Sequence, residues 1–211
     1  MAQVTLTFDN GPDPQATPQV LDCLARHGVK STFFVLGQHV STSVGLDVAR
    51  RASREGHWIG NHTWSHTGRL GEMTREAALQ EFDRTQQALA WVDQPARLFR
   101  PRGGGGRLGK GLLHLAVAEK LIAGGFTCVL WTSVPGDFRD PDGWMDRALA
   151  DCRSRDWSLV VLHDIPNGAV RNLESFLRKL RDEGHQFTQE FPADCTPILN
   201  GRVLRSLDEF C

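Results

Sequence analysis

The chain has 211 residues, with 24 Lys and Arg against 25 Asp and Glu and a formal net charge of −1. That length suits one α/β domain with a substantial core, and the near-neutral balance offers no field to draw a polyanion, so nucleic acid is not an expected partner. No apolar run approaches the roughly eighteen residues that span a bilayer, and no basic stretch leads into an apolar one before the first strand, so the sequence as it stands is expected to be soluble and cytoplasmic, or exported if a leader was removed.

From Val4 an apolar, β-branched run reads as a buried strand that delivers Asp9 and Asn10 into a Gly11-Pro12 turn. Loops converge and ligands bind at the carboxyl ends of parallel strands. The pair therefore stands either where a reacting group belongs or in a plain polar turn. Residues 17–27 carry Val20, Leu21, Leu24 and Ala25 at the spacing of one helical face, with Gly28 as a stop. A strand over 30–36 completes a first β-α-β unit. The helical pattern returns over 47–55 and stops at Gly56, and a short strand-like stretch over 57–61 leads into His62-Thr63-Trp64-Ser65-His66.

The clearest helix spans 74–92, with Thr74 as its cap and Ala78, Leu79, Phe82, Ala88 and Leu89 as its buried face. Pro95 ends the connection that follows. A strand over 97–100 runs into Pro101-Arg102 and four glycines, Gly103 to Gly106. These lack a Gly-Lys-Ser/Thr ending or a Gly-x-Gly-x-x-Gly with an acidic partner, so they read as flexible chain rather than a phosphate cradle. Then come a helix over 112–123, a strand over 126–132, a Pro-, Gly- and Asp-rich loop over 133–142 and a helix over 144–152. A strand over 158–162 delivers His163 and Asp164, a helix over 170–183 is closed by Gly184, and the last strand covers 186–188. Strand and helix alternate six or seven times with no linker, the order of a single β/α barrel across 1–211. The five cysteines include no Cys-x-x-Cys and read as reduced thiols.

His62 and His66 would lie about 13 Å apart in a strand, but on one helical turn they face the same way and can share an ion. By itself the spacing admits a metal pair or a chance pair. Asn10 is a candidate third ligand. Asp9, His62, Arg100 and His163 each follow a strand-like segment. A hydrolytic site needs such a set: a metal to polarise a carbonyl and acidify water, a carboxylate to take a proton, and an acid for the leaving group. Asp9 is the available carboxylate, Arg100 is expected to hold it with a two-pronged hydrogen bond, and His163 could donate to a departing amine or alcohol.

Thr7-Phe8-Asp9-Asn10-Gly11-Pro12, Asn61-His62-Thr63-Trp64-Ser65-His66, Phe99-Arg100-Pro101, Trp131 with Asp137, and Leu162-His163-Asp164 together resemble the five ordered motifs of the polysaccharide deacetylases, the NodB-homology or carbohydrate esterase family four proteins. The resemblance extends from Val4 to about Thr188, leaving 189–211 as a tail. It implies a distorted (β/α) barrel of about seven strands and metal-dependent removal of acetyl groups from N- or O-acetylated carbohydrates. By the same resemblance Asp9 is the base and His163 the acid. Arg100 orients Asp9, and His62, His66 and Asn10 bind a divalent metal, zinc first, with cobalt or nickel as alternatives. Trp131 and Leu162 would line the pocket, and the Gly103 N–H would face the oxyanion.

The chain departs from the family pattern in three places. Asn10 stands where the second aspartate of the first motif is usual. Arg102-Gly103-Gly104 replaces the usual Pro-Tyr-Gly. Val134 occupies the place of an aspartate that partners the catalytic histidine in many members, leaving Asp137 further along the loop. Two rivals to an active deacetylase follow: a weak or inactive glycan-binding member, and a metal-independent amide hydrolase on the same barrel. His57 and His185 are expected to be packing or surface groups, Trp58, Trp91 and Trp157 core, and Trp64 packed behind the site.

Overall fold

The computed structural model describes residues 2–94 and 96–211; the expectation at Pro95 lies outside them. Among these residues seven strands run parallel: β1 (Gln3–Asp9), β2 (Thr32–Val35), β3 (Trp58–Asn61), β4 (Arg97–Phe99), β5 (Phe126–Cys128), β6 (Trp157–His163) and β7 (Gln186–Thr188). Their order is β6-β1-β2-β3-β4-β5, and β7 also joins β1. β1 is shared along its length: its first half, Gln3 to Thr5, pairs with β7, and its second half, Thr7 to Asp9, pairs with β2.

The strand expected over 126–132 stops at Cys128 because the chain then leaves β4 and crosses to β6. Val129 N still donates to Phe99 O at 2.9 Å, but Thr132 N and Ser133 N donate to Leu159 O at 3.1 and 3.0 Å. This irregular seam, with an isolated parallel bridge between Ser133 and Val160, curls the sheet into the distorted barrel expected from the sequence. Residues 189–211 are not a loose tail. β8 (Ile198–Leu199) and β9 (Arg202–Val203) form an antiparallel hairpin on β5, Cys195 O accepts from Leu130 N at 2.7 Å, and Phe210 is buried.

Among the described residues seven α-helices pack around the sheet: α1 (Ala16–Arg26), α2 (Gly37–Val40), α3 (Ser43–Arg54), α4 (Arg75–Ala88), α5 (Leu115–Ala123), α6 (Trp144–Arg153) and α7 (Leu173–Asp182). Thr74 caps α4 as its sequence position suggests, accepting from Ala77 N at 3.3 Å. Thr42 caps α3 in the same way and starts it four residues earlier than the apolar pattern indicates. One apolar cluster packs Val4, Leu6, Phe8 and Leu162 against α1, α3, α6 and α7; another packs Phe34, Leu98, Phe99 and Val161 against α4 and α5. All five cysteines are free, and burial pushes the Cys128, Cys152 and Cys195 thiols up to about 12, which keeps them protonated and inert.

Candidate active site

Strand periodicity decides what reaches the barrel mouth. Along β1, Val4, Leu6 and Phe8 join the core against the helices while Thr5, Thr7 and Asp9 alternate with them. Register pairs Asp9 with His163 and Phe8 with Leu162. Asp9 and His163 therefore emerge side by side, whereas Leu162 points with Phe8 into the core. The expectation for Leu162 is thus corrected: its neighbour Val161 lines the cavity, because successive side chains on a strand face opposite ways. Asp9, Asn10, His62, His66, Gly103, Trp131 and His163 all line that cavity of about 410 Å³.

Arg100 lies fully buried behind Asp9. Its Nη1 donates to Asp9 Oδ1 at 2.8 Å and to Thr7 Oγ1 at 2.7 Å, Nε donates to Val129 O, and Nη2 donates to Leu130 O. The bond to Asp9 is single rather than two-pronged, since the other donors satisfy the carbonyls of the seam. The guanidinium also stacks over the Phe34 ring at 4.0 Å. Burial alone would raise the Asp9 carboxyl, but the Arg100 charge, with His62 and His163, holds it below the usual carboxylate range.

His62 and His66 come together, though not on a helical turn. Residues 62–66 form a loop in which Thr63 and His66 adopt left-handed backbone, with φ of 72° and 56°, and the imidazole centroids are 5.0 Å apart. A β-branched residue such as Thr63 resists that conformation, so the loop needs outside support. Glu81 of α4 supplies it, accepting from Trp64 N at 3.0 Å, Ser65 N at 2.8 Å and Ser65 Oγ at 2.7 Å. Asn61 adds a further clamp, with Oδ1 accepting from Thr63 N and Nδ2 donating to Phe82 O. Nothing local in the sequence marks Glu81, which lies fifteen positions beyond His66 on a helix. Trp64 sits beside Gly37 of α2 with Arg84 stacked at 3.9 Å.

Facing a carbonyl, His62 Nδ1 must donate to Arg100 O at 2.9 Å, which leaves Nε2 with its lone pair, 3.5 Å from Asp9 Oδ2. Burial lowers the His62 pKa and pulls His66 down to about 3, so both rings are neutral, the form that ligates metals. Asn10 also has left-handed backbone, φ 77°, and its carbonyl O accepts from His39 Nδ1 at 3.0 Å. Its side-chain Oδ1 is buried with no hydrogen-bond partner among the described residues. Two lone-pair nitrogens and an orphaned amide oxygen fit a divalent cation. A separate grouping, Cys23, His27 and Glu174, also brings potential ligand atoms within 4.8 Å, but the charges of Arg26, Arg178 and Arg181 bear on it and oppose a cation.

Across the cavity Asp137 takes the place that Val134 leaves empty. Its Oδ1 accepts from His163 Nδ1 at 2.8 Å and its Oδ2 from His163 N at 2.7 Å. Burial pulls the imidazole pKa down, but the Asp137 hydrogen bond and charge, with Asp9 and Asp164, raise it above the ordinary value. Asp164 is fully buried, accepts from Gly11 N at 3.1 Å and Thr17 Oγ1 at 2.6 Å, and is pushed up to about 7 by burial. His57, also buried, accepts from Ser31 N through Nδ1, a packing role as expected. Trp131 donates from Nε1 to Gly106 O at 2.8 Å, and a Cβ at Gly103 would stand 2.5 Å from the Trp131 ring, so only glycine lets backbone and indole meet there.

The polysaccharide deacetylase family model matches residues 2–115, more than half of the chain. The chain belongs to the polysaccharide deacetylase family. A chitooligosaccharide deacetylase of Rhizobium leguminosarum bv. trifolii is 34% identical to this family member over 85% of this chain and 79% of that protein. A peptidoglycan-N-acetylglucosamine deacetylase of Listeria monocytogenes is 32% identical over 88% of this chain, which spans only 37% of the Listeria protein's length. The solved structure of the Bc1960 peptidoglycan N-acetylglucosamine deacetylase, in complex with a hydroxamate-bearing benzamide, superposes with a TM-score of 0.74 at 28% identity, covering 89% of this chain and 85% of that one. No helix among the described residues of this family member is long and apolar enough to cross a membrane.

Proposed function

We propose that the chain hydrolyses acetyl groups on an N-acetylated, or O-acetylated, carbohydrate, with a divalent metal, zinc in the first instance, held by His62, His66 and Asn10. When bound, the ion would polarise the acyl oxygen and acidify water. Asp9 accepts the proton of the attacking water, and Arg100 keeps that carboxylate ionised and oriented. The Gly103 N–H, fixed by its packing on Trp131, faces the oxygen that gains charge. His163, protonated and hydrogen-bonded to Asp137, gives a proton to the leaving nitrogen or oxygen.

The observation that carries this reading is the Asp9 and His163 pair, adjacent in register and displaced in opposite senses, the carboxyl down and the imidazole up. A carboxyl biased towards its ionised form beside an imidazole biased towards its protonated form is the arrangement acyl hydrolysis needs. Names of the similar proteins support a glycan substrate. The neutral Asn10 favours a second reading, a metal-poor glycan-binding member or a metal-independent amide hydrolase.

Acetate release from chitooligosaccharide and peptidoglycan, measured alongside zinc content, separates these readings. His62→Ala and His66→Ala are each expected to lose zinc and acetate release together. Full zinc occupancy and activity in either variant would make the pair structural, and turnover that survives chelation would favour the metal-independent reading.

A further inference from the structure

Two guanidinium groups line the cavity without any role in the chemistry above, Arg102 and Arg139. Arg102 stands in the third motif where the family usually has proline. Its Nε is buried with no hydrogen-bond partner among the described residues, and its charge is among the influences that depress His66. Arg139 comes from the seam loop. Its Nη2 lies 3.2 Å from where a Gly105 Cβ would be, and its guanidinium stacks on Phe138 at 5.0 Å, which itself packs edge-on against His163 at 4.7 Å. The two cations thus flank the glycine run at the cavity wall, one on the His66 side and one on the His163 side.

No acid among the described residues forms an ion pair with either. Among the described residues the one carboxylate in the cavity lining is Asp9, which Arg100 already pairs, and Asp140, next to Arg139, is paired with Arg147 at 2.8 Å. Half-buried Arg102 with its unpartnered donor is costly unless a ligand completes it, and the planar fork of each guanidinium, Arg139 being exposed, matches an oxyanion. A neutral acetylated sugar offers hydroxyls but no such charge.

We propose that this cavity selects acetylated carbohydrates that carry an anionic substituent, a carboxylate or a phosphate monoester, close to the acetyl group, and that Arg102 and Arg139 read that charge. The inference rests on the deacetylase reading of the same site and adds its substrate class. The glycine run lets the charged substituent pass over bare backbone between the two arginines.

The test uses N-acetylated oligosaccharides identical except for one substituent: a hydroxyl, a carboxylate, the corresponding carboxamide, and a phosphate monoester. The zinc-loaded protein is expected to prefer at least one anionic member over the hydroxyl and carboxamide members by about tenfold or more in kcat/KM, the scale of one charge-assisted hydrogen bond. Which anion gains distinguishes carboxylate from phosphate. The anionic-to-neutral ratio should fall towards one in Arg102→Gln with Arg139→Gln, be partly kept by Arg102→Lys, and shrink as salt is raised. Equal rates for all four sugars, or a preference that survives the double substitution, would overturn it. Should none be hydrolysed, calorimetric binding of the same four sugars decides: anion-selective binding lost in the double variant sustains the inference while the deacetylase reading fails, and unselective or absent binding sinks it.

Discussion

The Asp137 carboxylate grips His163 at two points, accepting from ring Nδ1 at 2.8 Å and from the backbone N–H at 2.7 Å. The second bond fixes the carboxylate, so the first fixes both the tautomer and the plane of the ring and leaves Nε2 to work in the cavity.

His163 owes its raised pKa to this partner more than to any other, against the opposing pull of burial. In Asp137→Ala, burial is opposed only by the weaker influence of the Asp9 and Asp164 charges, so the protonated ring is lost at lower pH. The alkaline limb of the kcat/KM profile is expected to move down in pH, with a loss of about a hundredfold or more on N-acetyl substrates. His163→Ala should lose amide hydrolysis far more than hydrolysis of an activated aryl acetate, whose leaving group needs no proton. An unmoved profile or equal losses on both substrates would show that His163 positions rather than protonates.

As a proposed metal ligand, Asn10 would supply an oxygen without a charge. Asn10→Asp keeps the shape, and aspartate tolerates the 77° φ about as well as asparagine does. The added charge should tighten zinc binding by at least about tenfold, roughly 1.4 kcal/mol. Calorimetric titration of zinc into metal-free wild type and variant measures this; unchanged affinity would put Asn10 outside the coordination sphere.

Glu81 never touches the cavity, yet three donors of the 62–66 loop end on it. Glu81→Ala leaves them without an acceptor and removes support from the left-handed Thr63 and His66. Zinc affinity is expected to fall by about tenfold or more, with stability lower by about 1–3 kcal/mol. Glu81→Gln, which still accepts, should recover part of both. Unaltered zinc binding in the alanine variant would mean that the loop holds its shape without this carboxylate.

Asp164 makes stability depend on pH. Its carboxyl is pushed up to about 7 in the fold from the ordinary 3.8, so between these values the folded chain holds a proton that the unfolded chain has released. Its contribution is therefore complete below about pH 4 and is lost as pH rises towards 7. Asn in its place does not titrate and can still accept from Gly11 N, while its amide nitrogen would donate to Thr17 Oγ1 and so reverse that bond. The difference in Tm between wild type and Asp164→Asn should grow in the variant's favour from pH 4 to pH 7; a constant difference would place the ionised form in the fold throughout.

The sequence by itself determined the alternation of strands and helices, the delivery of Asp9, His62, Arg100 and His163 to strand ends, and the Thr74 cap. All are local matters of apolar period and capping chemistry. Tertiary structure alone decided the rest, since each remaining feature joins residues far apart in the chain. Leu162 turned into the core because register with β1 sets its face. The chain after Cys128 left its strand to close the barrel, and residues 189–211 entered the sheet through pairing with β5. His62 and His66 met through left-handed backbone held by Glu81 rather than through helical spacing. Asp137, three positions beyond Val134, reached His163 because a loop's path, unlike a strand's, is not fixed by counting residues.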